Sequence, residues 1–283
     1  MSTRVLLKRM RESNFFVVGL IVAVAIVLAV VGASLITHYD PQANSLVEKF
    51  QAPDWLSDGI GGHIFGTDQL GRDVFSRLLY GGKVSLTIAF WVVILQIVLG
   101  SVMGIMAGYF GGLVDSCIMR ACDIMLSLPN LILAIAIMAV LGASMFNLIF
   151  VLTITGWVQF AKVTRNDVII VKAREFVQAS KALGGKSLYI MFQQILPNVT
   201  TNIIIQASQR VGMTILLESS LSFLNLGVPP PQPSWGNMIA DGRQYLEICP
   251  WMAMAPGVIL MLAVLSFNFL GDGLRDVLDP KRS

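Results

Sequence analysis

The amino-acid sequence predicts an all-α membrane protein with about six transmembrane helices. Three observations lead to this prediction: the composition, the length of the apolar runs and the placement of the basic residues. Hydrophobic residues make up 55% of the 283 residues and charged residues 13%, with a mean hydropathy of +0.73. These values lie outside the usual range of soluble domains. Because the apolar runs recur along the whole length, we expect one membrane domain without a separate globular module.

Long apolar runs locate the expected membrane spans, because a hydrocarbon core about 30 Å thick needs about 20 apolar helical residues. The run at 124–161 is long enough for two helices, joined near residues 142–147. The other four runs are 15–37, 84–109, 198–226 and 251–270. We therefore expect residues 1–83 to hold an N-terminal tail, the first transmembrane helix and an external loop. Residues 84–283 are expected to form a core of five transmembrane helices that includes the cytoplasmic loop at 162–197.

The basic residues predict the orientation, because cytoplasmic loops hold an excess of Lys and Arg. With six spans, both termini lie on the same side of the bilayer as the loop at 162–197. That side collects fourteen basic residues, against five on the other side. We therefore expect both termini in the cytoplasm and residues 38–83 outside. The net charge of +3 is too small to indicate a nucleic-acid partner.

Motifs for catalysis, nucleotide binding and metal binding are missing from the sequence. The Gly-Lys-Ser string at 185–187 lacks the earlier glycine of a Walker A motif, since Ser180 stands there. Neither histidine lies in an HExxH motif, and no serine lies in a GxSxG motif. We therefore expect no catalytic residue, no metal site and no cofactor bound by this chain.

The basic loop at 162–197 is the most informative segment, because its pattern exceeds what a solvated loop requires. A glycine pair at 184 and 185 allows a sharp turn between two short helices. The sequence Leu196-Pro197 is expected to end the second helix. One face of the first helix collects Glu175, Ala179, Ala182 and Leu183. A face of small and apolar side chains is typical of a helix that docks in a partner's groove.

This loop resembles the coupling loop of permeases from ATP-binding-cassette (ABC) importers. The family pattern is Glu-Ala-Ala, three residues, Gly, and later Leu-Pro. The matching positions here are Gln178, Ala179, Ser180, Gly184, Leu196 and Pro197. Gln178 lacks the charge of the family's Glu, which would pair with a basic residue of the ATPase. Glu175 lies about one helical turn earlier and is a candidate to replace that charge.

Four further strings resemble the second permease subunit of the peptide and nickel importer branch. The string FGTDQLGRDVFSRLLYGGKVSL at 65–86 contains the signature residues Asp68, Gly71, Arg72, Asp73 and Arg77. Its charged side chains are expected to fix a short amphipathic helix through local ion pairs. The other strings are GGLVDSCIMRACDIMLSLP at 111–129, SFLNLGVPPPQPSWGNMIADGRQYL at 222–246 and FNFLGDGLRDVLDP at 267–280. Their order and spacing match over most of the chain.

The resemblance implies a type I ABC importer permease fold in a bacterial inner membrane. It also implies a heterodimer with a homologous permease, two cytoplasmic ATPase subunits that hold ATP and Mg²⁺, and an external substrate-binding protein. The implied cargo is dipeptides or oligopeptides, with nickel chelates, opines or glutathione as alternatives. A secondary transporter or channel that works without ATPases is the competing class.

Two charged residues, Arg210 and Glu218, lie inside the fifth predicted helix. A lone charge at the bilayer centre costs about 2.5–3.5 kcal/mol or more. The two residues are about 12 Å apart along a straight helix, which is too far for a direct pair. We expect them either to pair with the other permease or to line the substrate path. On the second predicted helix, we expect the ridge of Gly100, Gly104 and Gly108 to contact another helix.

Overall fold

The computed structural model describes residues 10–56 and 62–278, and this part of the chain is almost entirely helical. We number its nine longer helices in chain order: α1 (Asn14–Val31), α2 (Val74–Phe110), α3 (Gly112–Leu126), α4 (Asn130–Leu141), α5 (Met145–Lys172), α6 (Glu175–Ala182), α7 (Leu196–Phe223), α8 (Trp235–Gly242) and α9 (Trp251–Leu278). A single β-bridge, between Thr67 and Asp73, is found in the described residues. The predicted all-α class is confirmed.

Four of the described helices are long and apolar enough to cross a membrane, namely α1, α2, α5 and α9. Helices α3 and α4 pass the same criterion together but meet at a bend of 86°, so they form one broken span or a re-entrant loop. Helix α7 has 28 residues, the same length as α5, yet it is too polar to meet the criterion. Length and composition alone therefore give four or five spans, where the sequence predicts about six.

Two predicted helix boundaries differ from the structure. Helix α2 begins at Val74, ten residues before the expected start, so the predicted boundary at residue 83 lies inside a helix. The earlier start follows from an N-cap, since Asp73 accepts a hydrogen bond from the backbone N–H of Ser76 at 2.6 Å. The apolar run at 124–161 breaks at 127–129 as well as at the expected connection. Pro129 explains this break, because proline disfavours helical geometry in the residue before it.

The glycine ridge of α2 faces α5, and the predicted helix contact is confirmed. A Cβ atom at Gly100 would lie 2.5 Å from the Cβ of Phe160. At Gly104 it would lie 2.6 Å from the carbonyl oxygen of Ala161, and Gly108 is equally crowded. Any larger residue at these positions would force the two helices apart. The small residues therefore make α2 and α5 one closely packed pair.

The helix bundle has two ends, which we name by what they carry. The loop end holds the described residues between α1 and α2 and the connection from α7 through α8 to α9. The α6 end holds residues 173–195. Gly273 of α9 packs against Phe16 of α1, so the start of α1 and the end of α9 also lie at the α6 end. The cytoplasmic position of the α6 end remains a prediction.

Candidate functional site: two charged ends and a polar seam

At the loop end, residues 66–73 form a tight loop that leads directly into α2. Gly66 and Gly71 have φ angles of 69° and 73°. A Cβ at Gly71 would lie 1.7 Å from the carbonyl oxygen of Ser45, so only glycine fits there. The predicted short amphipathic helix does not form. Its place is taken by a turn in which the side chain of Asp68 accepts hydrogen bonds from two backbone N–H groups.

Asp68 is the centre of a buried ion cluster at this end. Its Oδ1 accepts hydrogen bonds from the backbone N–H groups of Leu70 at 2.8 Å and Arg72 at 3.0 Å. Its Oδ2 lies 2.7 Å from Nε of Arg72 and 3.3 Å from Nε of Arg77. These contacts occupy all four lone-pair positions of the carboxylate. The predicted local ion pairs are present, and the structure adds that they are buried.

Asp73 has a second role besides capping α2. Its Oδ1 lies 2.9 Å from Nδ1 of His63, and both side chains are buried. One carboxylate therefore ties the loop before residue 66 to the first turn of α2.

A pocket of about 260 Å³ opens beside the ion cluster. Its lining includes Arg72, Arg77, Asn225, Asn237 and Asp241. Asp241, near the end of α8, places Oδ2 3.9 Å from Nη2 of both arginines, which is beyond hydrogen-bond distance. Burial raises the pKa of the Asp241 carboxyl, while the two guanidinium groups act in the opposite direction. The pocket is thus lined by two positively charged guanidinium groups and one half-exposed carboxylate.

At the α6 end, the predicted first helix of the loop is present as α6. It is anchored by Val177, its one buried residue, which packs in a cluster with Val171 and Ile190. Among the residues predicted to dock, Glu175, Gln178 and Ala179 are exposed, whereas Ser180 is half-buried and accepts a hydrogen bond from Nε2 of Gln194. The Nε2 of Gln178 donates a hydrogen bond to the carbonyl of Lys172 at 2.7 Å.

The turn after α6 has the hydrogen-bond pattern of a Schellman motif. The N–H of Gly184 donates to the carbonyl of Lys181 at 3.1 Å, and the N–H of Gly185 donates to the carbonyl of Ser180 at 2.9 Å. Gly184 has a φ of 81° and open space around its Cβ position. At Gly185 a Cβ would lie 2.8 Å from the carbonyl oxygen of Ser180. The first glycine is therefore required for its backbone angle and the second for space.

The prediction that Leu196-Pro197 ends a helix is wrong. The chain runs from a helical turn at Ser187–Tyr189 through a π-helical segment, Ile190–Ile195, directly into α7. Pro197 lies in the first turn of α7. Proline is tolerated there because the π-helical segment just before it already interrupts the regular hydrogen-bond pattern of the helix.

Large apolar side chains are exposed along this segment. Leu183 is 89% exposed and Leu188 67%. Phe176, Tyr189 and Phe192 are between 44% and 50% exposed. Exposed apolar side chains close together are typical of a protein-docking surface.

Arg210 lies in a polar seam between α2, α5 and α7. Its Nε donates to Oε1 of Gln96 at 3.4 Å, and Nε2 of Gln96 donates to the carbonyl of Leu152 at 2.7 Å. A Cβ at Gly156 would lie 2.1 Å from Nε2 of Gln96, so glycine makes room for the seam. The Nη2 of Arg210 is buried and has no hydrogen-bond acceptor among the residues that the structure describes.

Glu218 has no exposed surface and lies apart from this seam. Its carboxylate accepts hydrogen bonds from Ser222 at 2.8 Å and Ser219 at 3.2 Å. The hydroxyls of Ser85 and Ser234 also donate hydrogen bonds to this carboxylate. Glu218 thereby connects α7 with α2 and with the residue that caps α8. In this conformation it lines no path.

Sequence reasoning missed Gln96 and Asp241. Gln96 was detectable, because it is a polar residue in the middle of an apolar run. Asp241 lies in one of the quoted strings, but its approach to Arg72 and Arg77 joins residues far apart in the sequence. No local pattern predicts such a contact.

The comparisons with known proteins complete the description of the site. A family model described as "Binding-protein-dependent transport system inner membrane component" matches residues 100–283. This chain belongs to that family. The match favours the ABC permease over an ATPase-independent transporter. A member of this family is a multi-pass inner-membrane permease that works with a substrate-binding protein, an ATPase and a permease partner.

Three curated relatives cover almost the whole chain. The dipeptide transport system permease protein DppC of Alkalihalophilus pseudofirmus is 40% identical over 97% of this chain and 88% of its own length. The oligopeptide transport system permease protein OppC of Bacillus subtilis is 37% identical over 96% and 88%. The glutathione transport system permease protein GsiD of Pectobacterium atrosepticum is also 37% identical over 96% and 88%.

A solved structure supports the fold of this permease. In the inward-facing MetNI methionine ABC transporter, one chain aligns with a TM-score of 0.56 and 19% identity, covering 72% of this chain and 97% of that one. At this identity the likeness shows the fold alone. The predicted ABC importer permease fold is confirmed.

Proposed function

We propose that this permease carries di- or oligopeptides across a bacterial inner membrane as one half of a permease heterodimer. The observation that supports this substrate most is the similarity to the dipeptide and oligopeptide permeases, which extends over 96–97% of the chain. Glutathione is the second candidate, because GsiD is similar over the same range. Nickel chelates and opines have no such support among the relatives named above.

The α6 end is proposed to face the cytoplasm and to dock on one of two ATPase subunits, which hold ATP and Mg²⁺. Its excess of basic residues supports this orientation. The exposed apolar side chains around Leu183 and the single anchor at Val177 support docking. Closure of the ATPases would move α6 and, through the continuous segment after Gly185, α7. Such coupling requires α6 to bind the two ATPase states with different affinity.

Within the docking loop, Glu175 is proposed to supply the charge that Gln178 lacks. The amide of Gln178 is held by the carbonyl of Lys172, whereas Glu175 is exposed in the first turn of α6. Ala179 and Ser180 keep the helix narrow, Gly184 sets the turn, and Leu196 and Pro197 join the loop to α7.

Uptake by the reconstituted transporter tests this function. The complex that copurifies with this chain is placed in proteoliposomes with its binding protein, and uptake of labelled dialanine, glutathione and a nickel–histidine chelate is compared. We expect ATP-dependent uptake of dialanine. Uptake without ATP, or uptake of the nickel chelate alone, would contradict the proposal.

Arg210 is proposed to act in assembly with the second permease more than in substrate selection. Its unsatisfied Nη2 supports an acceptor outside the described residues. Arg210→Ala should reduce the amount of second permease that copurifies, and Arg275→Ala, at an exposed arginine, is the control. Normal assembly with an altered preference for peptide charge would favour a role in the substrate path instead.

A further inference from the structure

The pocket at the loop end is lined by two arginines, and among the described residues only one carboxylate, that of Asp68, contacts them closely. Arg72 and Arg77 are 7% and 4% exposed and keep their charge at any physiological pH. Asp68 is fully occupied by two backbone N–H groups and both Nε atoms, so it counters about one of the two charges. Asp73 instead contacts His63 and caps the N-terminus of α2.

The second countercharge is Asp241, which contacts the two arginines only loosely. Its Oδ2 stays 3.9 Å from both Nη2 atoms, and 44% of its side chain is exposed. It stands one residue before the end of α8, and turning its side chain toward solvent would exchange the hydrogen bond from Gln69 for water. When Asp241 turns away, the two Nη2 atoms present hydrogen-bond donors to the pocket.

The rest of the lining combines neutral polar side chains with stiff apolar ones. Asn225 supplies a neutral amide, the amide nitrogen of Asn237 donates to the carbonyl of Val228, and residues 229–231 are three consecutive prolines. Proline fixes φ, so this part of the wall is stiff. A carboxylate matches two guanidinium groups because its two oxygens can accept from both at once.

We infer that this pocket binds a carboxylate through Arg72 and Arg77 in place of Asp241, and that the carboxylate is the C-terminus of the transported peptide. The identity of the peptide rests on the proposed function. The pocket, of about 260 Å³, is large enough for one end of a peptide. A released peptide would be oriented there with its C-terminus held.

Direct binding of a dipeptide to the transporter tests the inference. The complex that copurifies with this chain is placed in nanodiscs without its binding protein, and binding of dialanine and of dialanine amide is measured by equilibrium dialysis. We expect saturable binding of dialanine and at least about tenfold weaker binding of the amide, since the amide lacks the charge. Equal affinity of the two compounds would overturn the inference.

Substitutions at Asp241 and Ala143 change the pocket while leaving the contacts of Asp68 intact. Asp241→Asn removes the competing carboxylate and should tighten dialanine binding by about three- to tenfold. Asp40→Asn, at an exposed carboxylate outside the pocket, should leave it unchanged. Ala143 lines the pocket from an exposed loop, so Ala143→Glu should weaken binding several-fold, while Ala143→Gln has little effect. Unchanged dialanine affinity in both Asp241→Asn and Ala143→Glu would refute the site.

Further outcomes distinguish this inference from a role in docking and from a failure of the proposed function. If these variants alter only the affinity of the binding protein for the complex, the pocket is a docking contact and the inference is wrong. If the complex transports dialanine in proteoliposomes but the pocket variants bind it like the wild type, this inference fails alone. A complex that transports no peptide contradicts the proposed function itself.

Discussion

The loop end and the α6 end both present a charged segment with essential glycines, yet they are built in opposite ways. At the loop end, residues 66–77 bury Asp68, Arg72 and Arg77 against one another. At the α6 end, Val177 is the one buried residue of α6, and Leu183 is 89% exposed. Similar sequence composition has produced a closed cluster in one place and an open surface in the other.

This difference teaches that charged residues do not by themselves reveal what a loop does. At the loop end, Asp68 makes its hydrogen bonds and ion pairs within the chain, so this cluster helps to specify the shape of the subunit. The α6 end leaves apolar side chains such as Leu183 uncovered, which supports the proposal that another protein docks there. Substitutions should therefore affect stability at the loop end and coupling at the α6 end.

The largest effect is expected for Asp68→Ala. Removing this carboxylate leaves two buried guanidinium groups without their main partner, which costs about 3–5 kcal/mol of folding free energy. Thermal unfolding of the purified complex should show a strongly lowered midpoint or too little complex to measure. Asp40→Ala, at an exposed position of the same end, is the control. If Asp68→Ala were as stable as the wild type, the expected contrast between the two ends would be wrong.

Gly184→Val is expected to uncouple transport while the complex still assembles. Valine at a φ of 81° is strained by about 1–2 kcal/mol, and a loss of this size in the docked state lowers its population about 5- to 30-fold. Dialanine uptake and the ATPase response to loaded binding protein should both fall. Gly142 provides a matched control, because it has the same φ of 81° and the same open surroundings at the loop end.

Gly142→Val should be strained at least as much, because Gly142 also has a ψ of 161°, a region that is essentially restricted to glycine, and it should remain coupled. Full coupling in Gly184→Val would mean that the α6 segment is only a solvated basic loop. An equal loss in both variants would mean that backbone strain alone, and not docking, explains the defect.

Glu175→Ala is expected to have a smaller effect of the same kind. An exposed ion pair with the ATPase contributes up to about 1 kcal/mol, so coupling should fall by up to about fivefold. The measurement is substrate-stimulated ATP hydrolysis over a range of salt concentrations, since such a pair weakens at high salt. A wild-type response at low salt would show that Glu175 makes no such pair.

Gln178→Glu should have the smallest effect. The new carboxylate cannot donate to the carbonyl of Lys172 and would turn to solvent, with a loss of about 0.5 kcal/mol, which is about twofold. Because it restores the charge of the family pattern, uptake should stay within that range. Gln178→Ala separates the lost hydrogen bond from the added charge. A severe defect in Gln178→Glu alone would show that the amide itself contacts the ATPase.

Local pattern was enough to predict part of this fold. Apolar runs located the helices because a bilayer requires about 20 apolar residues in a row. The spacing of Gly100, Gly104 and Gly108 predicted a contact face because residues four apart lie on one side of a helix. The turn at Gly184 followed from the residue type, since glycine adopts positive φ without strain.

Features that depend on distant residues could not be predicted. The pocket beside the Asp68 cluster is completed by Asp241, from a segment more than 160 residues later. Residues 66–73 carry charges at helical spacing but form a turn, because two glycines and the Asp68 side chain favour it. Pro197 was expected to end a helix, and the π-helical segment before it instead lets the helix continue. The first of these features depends on a contact between distant residues, and the other two on local backbone geometry that the residue pattern did not reveal.

Helix α2 has a mechanical consequence that follows from its length. Its 37 residues span about 55 Å, well beyond a hydrocarbon core of about 30 Å. One tip is capped by Asp73 beside the charged pocket, and at the other the carbonyl of Tyr109 accepts a hydrogen bond from Lys172. A tilt of about 5° around its midpoint displaces each tip by about 2 Å in opposite directions. Because α5 packs closely against α2 through its glycines, we expect a tilt of α2 to move the pocket and the α6 end together.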